Sequence, residues 1–287
     1  MRSPLLPLAE FAARILPARW RSSLYRLGPL SRWMRAALNR AAAGPVEEVR
    51  VASGDLAGAR LDLDLKAEKS LWLGTYEPEL QRAIRTFAGQ GMTAYDVGAN
   101  LGYTAMLMAR AVGPNGHVFA FEPEPRNLTR LARHVASNRE GGRVTVVAAA
   151  VGAKSGRGRL QIHRSTSMAK LVGAPGRAES YTSVASVPVT TLDRFVARGG
   201  PPPQIVKIDV EGAEAMVLAG MRRILDRDRP LLLIELHGPA AAVASRRLLR
   251  RHGYCLLAME GRYPEEAAQG VQPWKAYVVA VPRARAA

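Results

Sequence analysis

The chain contains, between residues 93 and 103, the stretch Thr93-Ala94-Tyr95-Asp96-Val97-Gly98-Ala99-Asn100-Leu101-Gly102-Tyr103. An apolar run ends there in a carboxylate, and a turn of small residues follows. Gly98 and Gly102 can adopt backbone conformations closed to other residues, and Asn100 is among the few other types that tolerate a positive φ. A helical apolar stripe begins after Gly102. The stretch therefore predicts a strand, a turn and a helix start, whose free N–H groups face a ligand.

Glu122 supplies a second carboxylate, directly after the apolar run at 117–121. A carboxylate at the tip of the second strand of a doubly wound sheet is placed to accept both hydroxyl groups of a ribose. Asp96, two residues before the first glycine of the turn, would repel the pyrophosphate of a nicotinamide cofactor. It suits S-adenosylmethionine, which has no phosphate and carries positive charge on its sulfonium and amino groups. The two acids therefore favour S-adenosylmethionine as the cofactor.

Length and composition limit the alternatives. With 287 residues and 48% hydrophobic content, the chain suits one large α/β domain with a modest appendage. Its one cysteine, Cys255, cannot form an internal disulfide, and the five histidines lack metal-ligand spacing, so no structural zinc site is expected. The formal net charge is +17, but 35 of the 41 basic residues are arginines. Coding bias would also produce such a composition, so the charge alone does not indicate nucleic acid.

Residues 1–45 are expected to form a basic, amphipathic helical segment. Residues 1–40 hold eight arginines against the single acid Glu10, a formal charge of +7. Apolar residues, among them Trp20 and Trp33, recur at helical spacing and predict two or three short helices. Two interpretations stay open. The helices contact an anionic membrane face, or they pack over the main domain with their arginines in solvent.

Targeting signals are not evident in the sequence. No apolar run approaches 18 residues, so no membrane span is expected. Glu10, Arg14 and Pro17 interrupt the region where a signal peptide would have its apolar core, so we expect no cleaved export signal. We therefore expect a cytoplasmic protein, which under the first interpretation of residues 1–45 is peripheral at the inner membrane face.

The rest of the chain is expected to form a hairpin with a lead-in helix, residues 46–92, and a main domain, residues 93–287. Alternating apolar residues on either side of a turn at Ser53-Gly54-Asp55 predict the hairpin, and Pro78 opens the helix. Within the main domain we expect a strand at 144–148, an extra strand at 158–163, a loop from about 164 to 186 and a strand at 187–190. Small residues that include Ala150 leave room for an adenine ring, and Thr190 with Asp193 resembles a helix-capping box.

Two further apolar runs, 205–210 and 230–237, end in polar groups. Such groups at the ends of buried parallel strands face the crevice beyond the carboxyl edge of the sheet, where ligands of this architecture bind. Glu211 and Glu214 have a plainer interpretation as well, as acids that oppose a helix dipole. The groups expected to converge on one site are Asp209, Glu211, Glu235 and His237.

The combination of these motifs resembles the FkbM family of S-adenosylmethionine-dependent methyltransferases. The runs that carry the resemblance are Asp96–Thr104, Phe121-Glu122-Pro123, Val187–Phe195 with its Thr-Leu-Asp, Val206–Glu214 and the upstream Tyr76-Glu77-Pro78-Glu79. They cover roughly residues 75–260. The resemblance implies an α/β, class I (Rossmann-like) methyltransferase fold with a seven-stranded, mostly parallel, doubly wound sheet. It also implies methyl transfer to a hydroxyl oxygen of a sugar, glycan, lipid or polyketide-type metabolite.

The resemblance also implies roles for individual residues. Asp96 and the backbone at Gly98 and Gly102 would hold the aminoacyl end of the cofactor, and Glu122 the ribose. The full set of expected cofactor-binding residues is Asp96, Gly98, Asn100, Gly102, Tyr103, Glu122, Ala150 and Asp209.

The acceptor side of the site would use Asp209 and Glu211 to orient or deprotonate the acceptor, with Glu235 and His237 as further candidates. Because the cofactor already carries a sulfonium leaving group, alignment of oxygen, methyl carbon and sulfur should dominate. No metal is required, although the carboxylates at 209, 211 and 235 leave a divalent ion open.

Two rival classes of function stay open. A nucleic-acid methyltransferase would explain the basic charge, but the run 205–210 lacks the Asn-Pro-Pro-aromatic sequence that amino-directed base methyltransferases use to hold a flipped base. A non-catalytic, membrane-associated protein that keeps the fold is disfavoured because every expected cofactor-binding position is intact.

Overall fold

A computed structural model describes residues 46–163, 168–175, 181–260, 263 and 275–283. The N-terminal segment of residues 1–45 lies outside these ranges, so both interpretations of it stay predictions. The chain divides into two compact units, Met1–Pro78 and Glu79–Ala287. This division does not decide the three-part organisation expected from the sequence, which also stays a prediction.

The first unit contains the expected hairpin. Strands β1 (Glu47–Arg50) and β2 (Arg60–Leu63) pair in antiparallel orientation. Helix α1 (Lys69–Leu73) follows and ends at Gly74, whose φ of 70° places it in the left-handed region. The hairpin expected from the sequence is therefore present, although Leu61, Asp62 and Leu63 of β2 are all buried and not only one face of the strand.

The second unit contains two sheets. Its strands are β3 (Thr93–Val97), β4 (His117–Phe121), β5 (Val144–Val147), β6 (Ala150–Val151), β7 (Gly156–Ile162), β8 (Lys170–Leu171), β9 (Ser183–Thr190), β10 (Ile205–Ile208), β11 (Leu231–His237), β12 (Tyr254–Ala258) and β13 (Lys275–Pro282). The larger sheet has seven strands in the order β12-β13-β11-β10-β3-β4-β5. Only β13 runs against its neighbours in this sheet. The seven-stranded, mostly parallel sheet expected from the sequence is confirmed.

Helices flank this sheet along the chain. They are α2 (Pro78–Phe87), α3 (Tyr103–Val112), α4 (Pro125–Ser137), α5 (Leu192–Ala197), α6 (Glu214–Ala219), α7 (Arg222–Arg227) and α8 (Pro239–Arg251). Helix α4 shows why the local sequence begins a helix there. Pro125 occupies the first turn, and the carboxylate of Glu124 accepts the N–H of Asn127. No helix within the described ranges has the length and apolar character needed to cross a bilayer.

The carboxyl ends of the parallel strands meet at one edge of the seven-stranded sheet. Strand β3 lies beside the central strand β10 and has β4 on its other side. The chain leaves β3 toward β4 and only later returns to β10, so the strand order reverses at this point. Ligands of doubly wound sheets bind at such a reversal. The fully buried residues of β10 and the apolar residues of β11 anchor these strand ends in the core.

The smaller sheet, ordered β6-β9-β7-β8, corrects the expected loop at 164–186. Strand β9 begins at Ser183, four residues earlier than expected, and β8 also lies within the expected loop. Alternating serine, alanine and valine gave no strong strand pattern, and the pairing of this segment with β7 sets its conformation. Residues 164–167 and 176–180 lie outside the described part of the chain.

The capping prediction for α5 was wrong by one residue. The hydroxyl of Thr191, and not that of Thr190, accepts the N–H of Arg194 at the start of the helix. Asp193 instead accepts the N–H groups of Arg223 and Ile224. It therefore caps α7, a helix distant in sequence, and the local sequence pattern contained no signal for that contact.

Candidate active site

The turn after β3 has the backbone that its sequence predicted. The φ angles of Gly98, Asn100 and Gly102 are 80°, 49° and 83°. A Cβ at Gly98 would lie 1.9 Å from the carbonyl oxygen of Asp209, and one at Gly102 would lie 2.3 Å from Leu131. The turn therefore needs glycine for space as well as for conformation, and at Gly98 it approaches the backbone that follows β10.

Glu122, just beyond β4, holds this turn in place. Its carboxylate accepts the N–H of Asn100 at 2.8 Å and the N–H of Glu124 at 2.9 Å, and the side-chain amide of Asn127 lies at 3.4 Å. Burial raises the pKa of Glu122 to about 7, although these donors favour the charged form. Each carboxylate oxygen has a second lone pair, so the group can still accept ribose hydroxyls.

Asp96, near the end of β3, has a fully buried carboxylate. Its partner is Lys207. The two residues lie opposite each other on adjacent parallel strands. The Lys207 Nζ lies 3.1 Å from Asp96 Oδ1 and donates to the Gly98 carbonyl oxygen at 2.9 Å. Burial raises the pKa of Asp96, and Lys207 opposes that shift. Lys207 was not among the site residues expected from the sequence. A lone lysine in the buried run at 205–208 could have indicated it.

The expected acceptor groups come together around His237. We call Asp209, Glu211, Glu214 and Glu235 the carboxylate cluster. From the imidazole nitrogens of His237, the distances are 2.9 Å to Glu214, 3.0 Å to Glu235, 3.6 Å to Glu211 and 3.8 Å to Asp209. The structure thus brings together all four side chains that the sequence placed at strand ends. It adds Glu214 at the start of α6. From the sequence, Glu214 was interpreted only as an acid that opposes a helix dipole.

His237 is positively charged at neutral pH in this setting. Burial alone would lower its pKa, but the hydrogen bond to Glu214 and the charges of Asp209 and Glu211 raise the pKa to about 9. Glu214 binds Nδ1 and also accepts the N–H of Gly212, which fixes the ring. The imidazolium therefore gathers the carboxylates that face Nε2.

Asp209 and Glu211 differ in acidity although they are close in sequence. Burial opposes ionisation of Asp209, but the charges of Lys207, His237 and Lys275 hold its pKa below the ordinary value. Burial raises the pKa of Glu211, because His237 offsets it only in part. Neighbouring titratable groups with divergent pKa values are typical of acid and base roles. Glu211 is thus the more basic of the two.

The antiparallel strand β13 contributes a further cation. Lys275 lies opposite His237 in the pairing of β11 with β13, and its ammonium forms an ion pair with Glu235. Together with Lys207 and His237, it balances much of the negative charge of the buried carboxylates. Lys275 was not among the site residues expected from the sequence, because its strand is distant in sequence from the strands that carry the other site residues.

Asp209, Glu211 and His237 also have the spacing of a cation site. One ligand atom from each lies within 4.8 Å of the others. Carboxylate and imidazole donors suit several divalent metals. The two flanking ammonium groups and the imidazolium already balance much of the negative charge of this region, however, and we assign no metal to it.

Two expected cofactor residues, Ala150 and Tyr103, are buried. Ala150 is buried and belongs to a small apolar cluster with Leu160, Leu171 and Val187. Tyr103 is buried in the first turn of α3. Their contacts with a cofactor, like those of the other cofactor-binding residues named from the sequence, stay predictions.

Comparisons with known proteins identify the family of this chain. Residues 96–256 match the methyltransferase FkbM domain. The hexuronic acid methyltransferase AglP of Haloferax volcanii is 31% identical over 164 residues, which are 56% of this chain and 62% of that protein. The chain thus matches less than two thirds of the length of this curated relative.

Similar folds occur among solved structures. The methyltransferase FkbM of Methylobacillus flagellatus has a TM-score of 0.46 and 18% identity, with 91% of this chain and 60% of that chain covered. The precorrin-6y C5,15-methyltransferase of Geobacter metallireducens has a TM-score of 0.45 and 14% identity, with 72% and 90% covered. The fold assignment depends on the strand order and the domain match and not on these scores. The domain match spans more than half of the chain, and the protein belongs to the FkbM methyltransferase family.

Proposed function

We propose that this protein transfers the methyl group of S-adenosylmethionine to a hydroxyl oxygen of a sugar or glycan. The observation that carries the proposal is the direct approach of the donor turn to the acceptor cluster. The space where a side chain at Gly98 would lie is filled by the Asp209 carbonyl. A cofactor bound at the turn would thus have its methyl group near the carboxylate cluster.

On the donor side, the proposal assigns electrostatic and hydrogen-bonding roles. Asp96 pairs with the ammonium group of the aminoacyl end, and Glu122 accepts the ribose hydroxyls. The N–H groups at the start of α3 face the same crevice. When bound, S-adenosylmethionine supplies an electrophilic methyl group and a neutral thioether as leaving group.

On the acceptor side, the carboxylate cluster orients the hydroxyl and receives its proton. The acceptor oxygen forms a bond to the methyl carbon as the carbon–sulfur bond breaks, and the hydroxyl proton passes to a carboxylate. Glu211 is our choice of base because of its raised pKa, and ionised Asp209 orients the hydroxyl. Alignment is worth roughly 7 to 11 kcal/mol in such reactions, and a base adds about 10²- to 10⁴-fold.

The choice of a sugar acceptor is supported by the curated relative, which is described as a hexuronic acid methyltransferase. Sugars present hydroxyl groups that carboxylates recognise by accepting hydrogen bonds. Nucleic acid fits less well, because the run at 205–210 lacks the Asn-Pro-Pro-aromatic sequence with which amino-directed base methyltransferases hold a flipped base.

Asp209→Asn tests the proposal. The substitution keeps the shape but removes a charge at the acceptor, so methyl transfer to a panel of sugars and sugar acids should fall by about 10²-fold or more. Affinity for S-adenosylhomocysteine, measured by calorimetry, should change little. Asp226→Asn is a matched control, since Asp226 pairs with His252 outside the site and should leave both quantities unchanged.

Two outcomes would contradict the proposal. Equal turnover by Asp209→Asn and the unchanged protein would remove Asp209 from the acceptor site. Methyl transfer to RNA or DNA, with none to any sugar of the panel, would overturn the choice of acceptor.

We also propose that residues 1–45 attach the protein to an anionic membrane face. The segment contains eight arginines with Trp20 and Trp33, and its apolar spacing predicts amphipathic helices, which supports this. Each arginine near such a surface contributes about 1 kcal/mol, and the field decays within about 8 Å at physiological salt. The full chain should therefore bind anionic liposomes at low salt and leave them at high salt. A full chain that stays in the supernatant with anionic liposomes at low salt would contradict the attachment.

A further inference from the structure

Lys207 is a buried lysine at the centre of the seven-stranded sheet. Its side chain is 5% exposed, and β10 is buried along its whole length. Removing an ammonium group from water is unfavourable unless other groups compensate it. Its partners therefore indicate why the chain keeps a charge there.

Three acceptors surround the Lys207 ammonium, and they belong to different parts of the site. The Gly98 carbonyl oxygen in the donor turn lies at 2.9 Å. Asp96 Oδ1 at the end of β3 lies at 3.1 Å. Asp209 Oδ2 in the carboxylate cluster lies at 3.5 Å. A single cation thus touches both the cofactor half and the acceptor half.

Without this cation, the two halves would repel each other. The buried carboxylate of Asp96 and the half-buried one of Asp209 share Lys207 as a partner, and their charges disfavour each other. The backbone approach between Gly98 and Asp209 leaves no room for the two strand ends to move closer together. The position of Lys207 opposite Asp96 in the strand register keeps the ammonium between them.

We propose that Lys207 is a positioning residue that fixes the cofactor turn against the acceptor cluster. The inference rests on the proposed methyl transfer and adds a residue to it. Lys207 holds the Gly98 carbonyl and favours the ionised form of Asp96, which would meet the cofactor ammonium. Through Asp209, it places the acceptor hydroxyl relative to the same turn. Cofactor affinity and acceptor alignment therefore depend on one side chain that contacts neither substrate.

The test measures the affinity for S-adenosylhomocysteine by calorimetry between pH 6 and pH 9, with Lys207→Met and Lys207→Gln. At pH 7 we expect Lys207→Met to bind about tenfold more weakly or worse, because a buried carboxylate without its partner takes up a proton. The groups that face Asp96 are Lys207 from β10, Asp209 just after β10 and the N–H of Ala105 from α3. The deficit should shrink as pH rises, since base restores the charge of Asp96.

Lys207→Gln separates the hydrogen bond from the charge. The amide can still donate to the Gly98 carbonyl but cannot balance two carboxylates, so it should bind almost as weakly as the methionine variant. Lys170→Met is the matched control. Lys170 is also a buried lysine, but it lies in β8 beside Tyr181, and its loss should leave cofactor affinity unchanged.

A double-substitution cycle with Asp96→Asn tests whether Lys207 acts through Asp96. We expect the double variant to lose little more affinity than the worse single variant, because the two groups form one unit. Additive losses would overturn the proposal, and so would cofactor affinity in Lys207→Met equal to that of the unchanged protein at every pH.

The outcomes also separate this inference from the proposed function. If the unchanged protein fails to bind S-adenosylhomocysteine, the proposed function fails and Lys207 is not the cause. If thermal melting shows that neither Lys207 variant folds, Lys207 serves the fold itself and the positioning role is overturned. If only the methionine variant fails to fold, the glutamine variant decides in the same assay.

Discussion

The donor turn and the carboxylate cluster meet at one edge of the sheet but are built in different ways. The donor turn is mostly backbone, namely glycines at positive φ and N–H groups that bind a single buried acid, Glu122. The cluster is mostly charged side chains around His237. The turn is contiguous in sequence, whereas the cluster draws on the residues after β10, on β11 and on the start of α6. Shape thus defines the donor side, and balance of charge defines the acceptor side.

This contrast predicts which kind of change each half of the site should tolerate. The backbone of the donor turn should tolerate changes of pH and fail when atoms are added. A site made of opposed charges should tolerate small changes of shape and respond to pH. Lys207 is the exception, since it lies on the boundary and contacts both halves.

The largest effect is expected from Gly98→Ala. The new methyl group would lie 1.9 Å from the Asp209 carbonyl at a φ of 80°, so we expect the free energy of unfolding to fall by about 4 kcal/mol. Cofactor binding should be lost. Gly91→Ala is the matched control, because Gly91 has a φ of 79° but no atom within 4 Å of an added Cβ. Urea unfolding and calorimetry check both variants, and equal losses would show that conformation alone, not space, requires the glycine at 98.

A pH-dependent loss of stability is expected from His237. Its pKa is about 9 in the folded chain against an ordinary value of 6.5. The charged ring therefore stabilises the fold fully below pH 6.5, and this contribution is lost as pH rises through 9. The difference is on the order of 3 kcal/mol. His237→Gln should abolish that part of the pH dependence in urea unfolding. Identical slopes for both proteins between pH 6.5 and 9 would show that another group titrates there.

The smallest effect is expected from Glu122→Gln, which changes affinity more than stability. Loss of a charged hydrogen-bond acceptor should weaken S-adenosylhomocysteine binding by roughly 1.5 to 3 kcal/mol, or about 10- to 100-fold. The pKa of Glu122 is about 7 against an ordinary 4.5, so its contribution to stability is present below pH 4.5 and lost as pH rises through 7. At pH 8 the variant without cofactor should therefore be no less stable than the unchanged protein.

Glu124→Gln provides the opposite pattern as a control. Glu124 caps α4 and does not belong to the cofactor site in our proposal. Its substitution should lower stability by about 1 kcal/mol with little change in affinity. Calorimetry and thermal melting compare the two variants. Unchanged affinity in a folded Glu122→Gln would remove Glu122 from the cofactor site.

The same contrast explains what the sequence could predict. The turn at 98–102 and the acid at 122 were readable because their chemistry lies in contiguous motifs. The sequence identified Asp209, Glu235 and His237 only as polar residues at the ends of apolar runs. That pattern placed them at the same edge of the sheet, but it did not show that the carboxylates surround the imidazole. The central role of His237 depends on Glu214, which is fixed by the start of α6.

Charges that arrive from distant segments could not be predicted. Lys275 reaches the cluster because β13 inserts in antiparallel orientation between β11 and β12. Nothing in the local sequence specifies that insertion. The contact of Asp193 with α7 has the same origin. The strand at 183–190 was predicted too short, because its residues acquire their conformation by pairing with β7.

The position of β13 also gives the two halves of the site an order of formation. Strands β3 and β4 and Glu122, which holds the donor turn, are synthesised before the whole carboxylate cluster, so the donor turn can begin to form early. Strand β11 is complete at residue 237, but its outer neighbour begins only at residue 275. Until then β11 has an unpaired edge of the kind that recruits other chains, and Glu235 lacks the ammonium of Lys275. The acceptor half of the site is therefore completed last during synthesis, and a chain interrupted before residue 275 would be prone to aggregate although its donor turn is intact.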